Sequence, residues 1–440
     1  MQDLENNASQ AVKTNKNGRA AASYTLLLLT LVYTFNVVDR FILGILLPQI
    51  KQEMVLNDSL LGLLTGAAFA IFYATLGMPI ARLADRFSRK NIIAICLTIF
   101  SVMTALCGLA SSFLWLFLAR VGVGIGEAGT MPAAASMVAD LYDKKKRSSA
   151  MAIMSVGANI GLLIGFIVGG YVAANHGWRA AFMVIGLPGV ILAAIIVYTM
   201  QEPERGAADN LDKNDDSAVP SFKQCLGFLS SQKSFLLMNA SFALMIATST
   251  GALAWVPSFL NRSHGMAVDQ VGLALGLIIG IGGIFGTVVI GGFLSDLLAK
   301  RDLRWGVWIG AFGAGIMAIG YTLMIMAPTG QTALIAFLIP GILGIYFQGP
   351  LMALLQAVSP VKMRATSIAI ALFITNLLGL GLGPLIIGAL SDFLNPTYGD
   401  ASLQMALFFI PVTLIIAIFV FFAASRPLNS DIMRAEAYQD

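Results

Sequence analysis

Charge is what this 440-residue chain has least of. Only 11% of its residues are Asp, Glu, Lys or Arg, whereas 58% are hydrophobic and the mean hydropathy is +0.82. A water-soluble domain carries roughly a quarter charged residues. The shortage excludes a large soluble domain and leaves lipid as the solvent for most of the chain. Histidine is nearly absent, and His176 and His264 both fall in short loops. The three cysteines, Cys96, Cys107 and Cys225, have neither metal-ligand spacing nor an even framework and read as free thiols. No metal centre or cofactor is expected. With no Ser/His or His/Glu constellation in the apolar runs, a membrane-embedded hydrolase is excluded too. No Gly-x-x-x-x-Gly-Lys-Ser/Thr loop is present to bind ATP. The polar first twenty residues do not form a cleavable signal peptide.

What is abundant is apolar sequence long enough to cross a bilayer, about 20 residues at a time. Twelve such spans are expected: 22–48, 59–84, 90–110, 113–141, 147–174, 178–201, 233–260, 268–298, 304–326, 331–358, 362–394 and 402–425. The rule that cytoplasmic loops are positive orients them. With the N-terminus inside, 22 of the 27 Lys and Arg residues are cytoplasmic and only Lys51, Arg179 and Arg262 are outside. Both termini are therefore expected in the cytoplasm, and the one-sided charge argues against a nucleic-acid partner. The longest connection, 202–232, is rich in Glu, Asp, Lys, Ser, Ala and Pro and reads as a linker. The expected organisation is a tail 1–21, a six-helix bundle 22–201, the linker 202–232, a second bundle 233–425 and a tail 426–440. Within the linker, Ser221–Ser231 is mildly amphipathic and suits either the membrane surface or a plain connection.

The halves repeat. Ala81–Lys90 (ARLADRFSRK) follows span 2, and Gly292–Arg301 (GFLSDLLAKR) follows span 8, the same acid-then-basic pattern at the same place. With these residues the chain resembles the major facilitator superfamily over essentially its whole length. It departs from that family's loop signature at Ala81 and Ser88, where glycine is usual. The resemblance implies an all-α membrane protein of two pseudo-symmetric six-helix bundles. It also implies that Asp85 and Asp296, with Arg86, Arg89 and Arg301, gate the cytoplasmic side by bracing the facing half. Helix capping is the simpler role for those two acids.

Two glycine ladders recur at four-residue spacing: Gly157, Gly161, Gly165 and Gly169 in span 5, and Gly272, Gly276 and Gly280 in span 8. Small residues so spaced let membrane helices approach closely. The resemblance places spans 5 and 8 against each other across the halves, so the two ladders are expected to share one sliding interface. Span 4 carries Gly122, Gly124, Gly126, Gly129 and Pro132, the composition of a bendable helix.

Formal charge at membrane depth is restricted to four residues: Asp39 and Arg40 in span 1, Arg120 and Glu127 in span 4. Such groups cost several kcal/mol unless they face a partner or a wet cavity. Span 1 runs outward and span 4 inward, which puts Asp39 roughly 13 Å and Arg120 roughly 10 Å from their outer ends. An Asp39–Arg120 pair is available. Glu127 lies deeper, with Arg40 its only accessible cation. One reading is a buried ion-pair set that fixes packing. The other is a coupling site, in which a carboxylate losing its arginine partner in low dielectric is neutralised by a proton. Asp39 and Glu127 are the coupling candidates, and protons the coupling ion.

The second half offers only neutral groups, among them Asn239 and Trp255 in span 7, Tyr346 and Gln348 in span 10 and Asn376 in span 11. With Tyr33, Asn36, Arg40 and Arg120 opposite, they outline a cavity charged on one wall and apolar on the other, suited to an amphipathic substrate. The run Arg120–Ala128 (RVGVGIGEA), with Asn36, Asp39 and Arg40, resembles the spinster-like group. That resemblance implies transport of sphingolipids or lysophospholipids and functional roles for Asp39, Arg40, Arg120 and Glu127. The expectation is a monomeric secondary transporter of a bacterial inner membrane, surrounded by membrane lipids. A drug or organic-anion carrier and a non-transporting lipid sensor are the alternatives.

Overall fold

The computed structural model describes residues 2–205 and 220–438; the side chains of 2–19, Met78, Asp85, Lys144, Lys145 and Ser148 lie outside that description. Among the described residues the regular elements are all helical. By length and composition nine helical segments among the described residues can each cross a bilayer, or ten if the bent pair Phe409–Ser425 and Leu428–Ala437 counts as one. Two features raise the number of crossings to the twelve expected. The helix Lys144–Thr199 is broken at Gly177, whose φ of +81° suits glycine alone. Its apolar stretch Ser149–Thr199 has 51 residues, about 77 Å of helix against a bilayer core of ~30 Å, which makes two crossings, spans 5 and 6. Span 10 is assembled from two short helices, Gly330–Ile342 and Gln348–Ala357.

The contacts repeat under a shift of six spans. Span 1 packs on span 5 as span 7 packs on span 11; span 3 packs on span 6 as span 9 packs on span 12. Span 5 meets span 8 as span 11 meets span 2, and spans 1 and 7 cross between them. These are the relations of two pseudo-symmetric six-helix bundles joined through spans 2, 5, 8 and 11. Large apolar side chains on the outer faces, such as Leu114, Leu187, Phe293 and Phe419, remain exposed, as a lipid-facing surface requires.

Span 2 divides into Asp58–Thr65 and Ala67–Arg86, and span 4 into Phe113–Glu127 and Thr130–Leu141. The expected bend in span 4 is thus a break at Ala128–Gly129. Gly124 and Gly126 serve a different end. A Cβ at Gly124 would meet the Phe69 carbonyl at 2.7 Å, and one at Gly126 the Phe100 amide at 2.6 Å. Spans 8 and 11 include π-helical turns at Gly276–Ile281, Gly286–Leu294 and Thr375–Leu380.

The glycine ladders do not share an interface. Gly157 and Gly161 lie under the carbonyls of Thr30 and Thr34, and Gly165 and Gly169 under Val38 and Ile42, so the span 5 ladder packs on span 1 inside its own half. The span 8 ladder does face span 5. Gly272 lies on the Phe166 carbonyl, Gly276 on Ile167 and Gly280 on Leu163, with Gly170 the nearest span 5 glycine. Positions 163, 166, 167 and 170 are one helical face and 157, 161, 165 and 169 another, because a four-residue step turns 400°.

The expected C-terminal tail is largely a helix, Leu428–Ala437, and Asp431 in it caps span 7 by accepting from Ser234 N at 2.8 Å and Ser234 Oγ at 2.7 Å. The amphipathic piece of the linker is a helix, Phe222–Ser231, closed by a capping box on Ser221 and Gln224. Residues 206–219 of the expected linker lie outside the described residues.

Candidate functional site

The four embedded charges form two ion pairs inside the first half. Asp39 is 2% exposed, and Arg120 and Glu127 are fully buried. Arg120 Nη1 lies 3.6 Å from Asp39 Oδ2 and donates to the Asp39 carbonyl at 3.3 Å. Thr104 of span 3 donates to Asp39 Oδ1. Arg40 Nη2 donates to Glu127 Oε2 at 2.6 Å. The pairing follows from the sequence: Asp39 and Arg40 diverge by about 100° around span 1, so each takes a different turn of span 4. Glu127 is the last residue of its helix before the break, which frees the next turn to supply Thr130. Thr130 donates back to the Glu127 carbonyl at 2.8 Å and accepts from Asn36 Nδ2 at 2.7 Å.

Arg40 differs from the other three. Its side chain is 17% exposed, and it lines a small cavity between the halves with Phe41, Gly44, Thr65, Thr250, Leu253 and Pro384. Its guanidinium lies 4.7 Å from the Phe69 ring and 4.8 Å from the Tyr73 ring, which stack at 5.2 Å. Cation–π contacts of this kind are worth ~0.5–2 kcal/mol and more when dry. Arg40 therefore has two kinds of partner, a carboxylate and a ring pair, and it reaches the cavity. Polar capacity also remains in the cluster: Glu127 Oε1, Arg120 Nε and Nη2 and Arg40 Nε find no hydrogen-bond partner among the described residues.

A second cavity, apolar and of about 40 Å³, lies between the halves, lined by Leu162 and Asn159 of span 5 and by Ala252, Ile279, Phe337, Pro340, Ser249 and Tyr321 of the second half. Leu253 borders both this cavity and the one at Arg40.

Several expected cavity residues lie elsewhere. Trp255 is fully buried and donates to the Pro384 carbonyl at 2.8 Å; Tyr346 is buried and donates to the Gly310 carbonyl at 2.6 Å; Asn239 is buried and donates to the Phe235 carbonyl at 2.8 Å. All three satisfy polar groups within helix packing, which in lipid is the commoner task. Gln348 is exposed, and Tyr33 and Asn376 are half-buried.

Of the expected gating groups, Arg86, Asp296 and Arg301 are exposed, and the side chain of Asp85 lies outside the described residues. Arg89 is buried instead. It pairs with Asp140 and with Glu202 at 3.0 Å, and donates to the Pro203 carbonyl at 2.8 Å. This clasp joins the ends of spans 3, 4 and 6 within one half. Glu202 also accepts from Lys90 N at 2.8 Å and Ser88 Oγ at 2.8 Å. Burial acts to raise the Glu202 carboxyl, and the bonds from Lys90, Arg89 and Ser88 outweigh it and hold it below its ordinary range.

Phe69, Tyr73, Thr104 and Thr130 are absent from the sequence reading. Phe69 and Tyr73 carry one signal, an aromatic i,i+4 pair on a span that faces the charged ones.

The structure resembles the crystal structure of a bacterial homologue of the human lysosomal transporter Spinster in an inward-facing, unoccupied conformation, with a TM-score of 0.83 and 30% identity over 93% of this chain and 98% of that one. An inward-facing, occupied form gives 0.75. In sequence the chain is 31% identical over 95% of its length to an MFS-type efflux pump of Mycolicibacterium smegmatis, covering 96% of that protein. It is 30% identical over 84% of its length to Protein spinster of Drosophila melanogaster, of which it spans 62%. The family model of the Major Facilitator Superfamily matches residues 29–384. The chain is a multi-pass membrane transporter that belongs to the Major Facilitator Superfamily.

Proposed function

We propose that the protein is a proton-coupled secondary transporter that works by alternating access on an amphipathic, lipid-like molecule of lysolipid or sphingoid type. The observation that carries this reading is the Arg40–Glu127 pair, a buried carboxylate held by an arginine that also reaches the cavity between the halves. An anionic head group that draws Arg40 toward the cavity leaves Glu127 buried without its cation, and a proton then neutralises it. Arg40 keeps the Phe69 and Tyr73 rings as it moves. The lining beside Arg40 and beyond Leu253 is apolar, as a hydrocarbon tail requires. The reading has both termini in the cytoplasm of a bacterial cell, with the charge asymmetry in support of that orientation; the halves part at the Lys/Arg-rich end, which in this orientation is an inward-facing form.

Labelled lysophospholipid in proteoliposomes under an imposed pH gradient tests the reading. Uptake is expected to follow the gradient. In Glu127→Gln, pH-driven uptake is expected to fall at least tenfold with counterflow retained. Equal pH-driven uptake by the parent and Glu127→Gln would sink the coupling, and absence of counterflow with retained binding would indicate a sensor. The efflux-pump relative favours a second reading, a drug or organic-anion carrier holding its substrate on Arg40. Transport of hydrophilic organic anions in preference to lysolipid supports it.

A further inference from the structure

Both bundles carry grooves between spans, lined by exposed apolar side chains that face lipid, and the charge at their inner ends differs. In the first half a groove of about 500 Å³ separates the inner halves of spans 3 and 6, between Ile95, Ile99, Val197 and Tyr198. Its inner end carries an acid. The Lys90 ammonium donates to the Val197 carbonyl at 3.2 Å, and the Glu202 carboxylate accepts from the Lys90 amide at 2.8 Å.

In the second half a groove of about 400 Å³ lies between Ile290 and Leu294 of span 8, Phe312 and Ile316 of span 9, and Ile339 and Leu343 of span 10. Its one polar side chain, Tyr346, donates its hydroxyl to the Gly310 carbonyl at 2.6 Å. Two irregular stretches meet beneath it. Gly286 and Gly291, in the π-helical turn of span 8, lie on the Ile342 and Tyr346 carbonyls, where span 10 is broken between its two helices. Regular packing of ridges into grooves is interrupted there, which leaves the space.

The inner end of this second groove is basic. Arg301 stands seven residues, or two turns, beyond Leu294 and so on the same face of span 8, with Lys300 beside it. Both are exposed, and among the described residues neither makes an ion pair. Asp296 is turned about 140° away from Arg301 around the helix. Arg304 and Asp302 neutralise each other at 2.7 Å. Trp305, two turns before Phe312, meets its ring at 6.3 Å and stands at head-group depth, where tryptophan is favoured.

We propose that this groove binds an anionic diacyl phospholipid of the inner leaflet, with one acyl chain between spans 8, 9 and 10 and the phosphate on Lys300 and Arg301. Basic residues at the cytoplasmic mouth of an interhelical groove suit such a head group. The site is separate from the cavity at Arg40 and independent of the coupling ion and the transported molecule. A chain in it packs against Leu343 and Tyr346, at the break in span 10, and the same span lines the cavity between the halves through Phe337 and Pro340. The anionic lipid content of the membrane thereby acts on a wall of the transport path.

The test titrates purified full-length protein in dodecyl maltoside with dioleoylphosphatidylglycerol or dioleoylphosphatidylcholine and follows the unfolding temperature, which rises with a ligand of the folded state. The parent is expected to respond to phosphatidylglycerol at a concentration roughly tenfold below that of phosphatidylcholine, since each basic residue near an anionic head group is worth about fivefold. Lys300→Gln with Arg301→Gln is expected to bring the two concentrations together. Lys362→Gln, at an exposed base outside the groove, is expected to leave them apart. Ile316 is 49% exposed, so Ile316→Trp fills the groove from the lipid side and is expected to abolish the response at the parent's concentration. Equal responses of the parent to the two lipids, or a parent-like preference in the double variant, would overturn the site. An unchanged response in Ile316→Trp places the lipid elsewhere, the cavity at Arg40 included, and overturns it as well. A shift reproduced by inorganic phosphate alone rules out the acyl chain. No transport enters the measurement, so failure of the coupling reading leaves this result standing.

Discussion

At the scale of single residues, burial decides how the charges behave. Removing one member of a buried pair typically costs ~3–5 kcal/mol, because the other charge is left uncompensated. Arg40→Ala strands Glu127, which is fully buried. Arg40→Ala is therefore expected to lower the unfolding temperature in detergent more than Arg40→Ala with Glu127→Gln does; a double variant less stable than the single would contradict the pairing. Glu202 gives the opposite case, a carboxylate in the polar clasp outside the spans. Its folded value is held below the ordinary one, so its contribution is present above the unfolded carboxylate value of about 4.3 and is lost as pH falls through the folded one. Glu202→Gln is expected to destabilise the protein at neutral pH, with the difference from the parent closing below about pH 4. A thermal-shift series across pH measures this. The Asp39–Arg120 pair was legible in the sequence because depth along a helix follows from counting residues. The Phe69–Tyr73 shelf under Arg40 was not, since ring orientation depends on how span 2 is rotated, and that is fixed by neighbours far away in the chain.

At the scale of helices, the two glycine ladders look alike in sequence and do different work. A four-residue spacing marks a small-residue stripe without saying which neighbour it faces. Span 5 has two usable faces, and its ladder lies on the one toward span 1. The span 8 ladder lies on the seam between halves. The consequences of overpacking, ~1–3 kcal/mol per site, therefore differ. Gly157→Ala, pressed on the Thr30 carbonyl, is expected to lower thermal stability and leave the conformational equilibrium alone. Gly272→Ala, pressed on the Phe166 carbonyl, is expected to slow transport. Equal transport rates in the two variants would refute the assignment. The helical character of the spans was readable; the helix Leu428–Ala437 in the expected tail and the π-helical turns of spans 8 and 11 were not. The break after Glu127 was readable only as flexibility, because Gly124, Gly126 and Gly129 are ambiguous between bending and close packing until the Phe69 and Phe100 backbones are seen against them.

At the scale of the whole molecule, twelve crossings and a two-fold relation between halves follow from apolar length and from the repeated loop after spans 2 and 8. The contacts of Asp58 with Arg262 and Ser391 did not follow, because these residues stand at span ends, where charge is unremarkable one residue at a time and acquires meaning only when spans 2, 7 and 11 converge. The side of the membrane that each end faces is read from charge asymmetry. Of 27 Lys and Arg residues, 22 fall on one side and three on the other, a bias that sets orientation during insertion. A membrane-impermeant maleimide applied to intact cells is accordingly expected to label Gln52→Cys and Thr397→Cys, exposed positions at the end opposite the Lys/Arg-rich one, and to spare Met433→Cys, which is exposed on the helix after span 12, until the cells are opened. The opposite pattern would turn the molecule over. The cavity at Arg40 would then open outward.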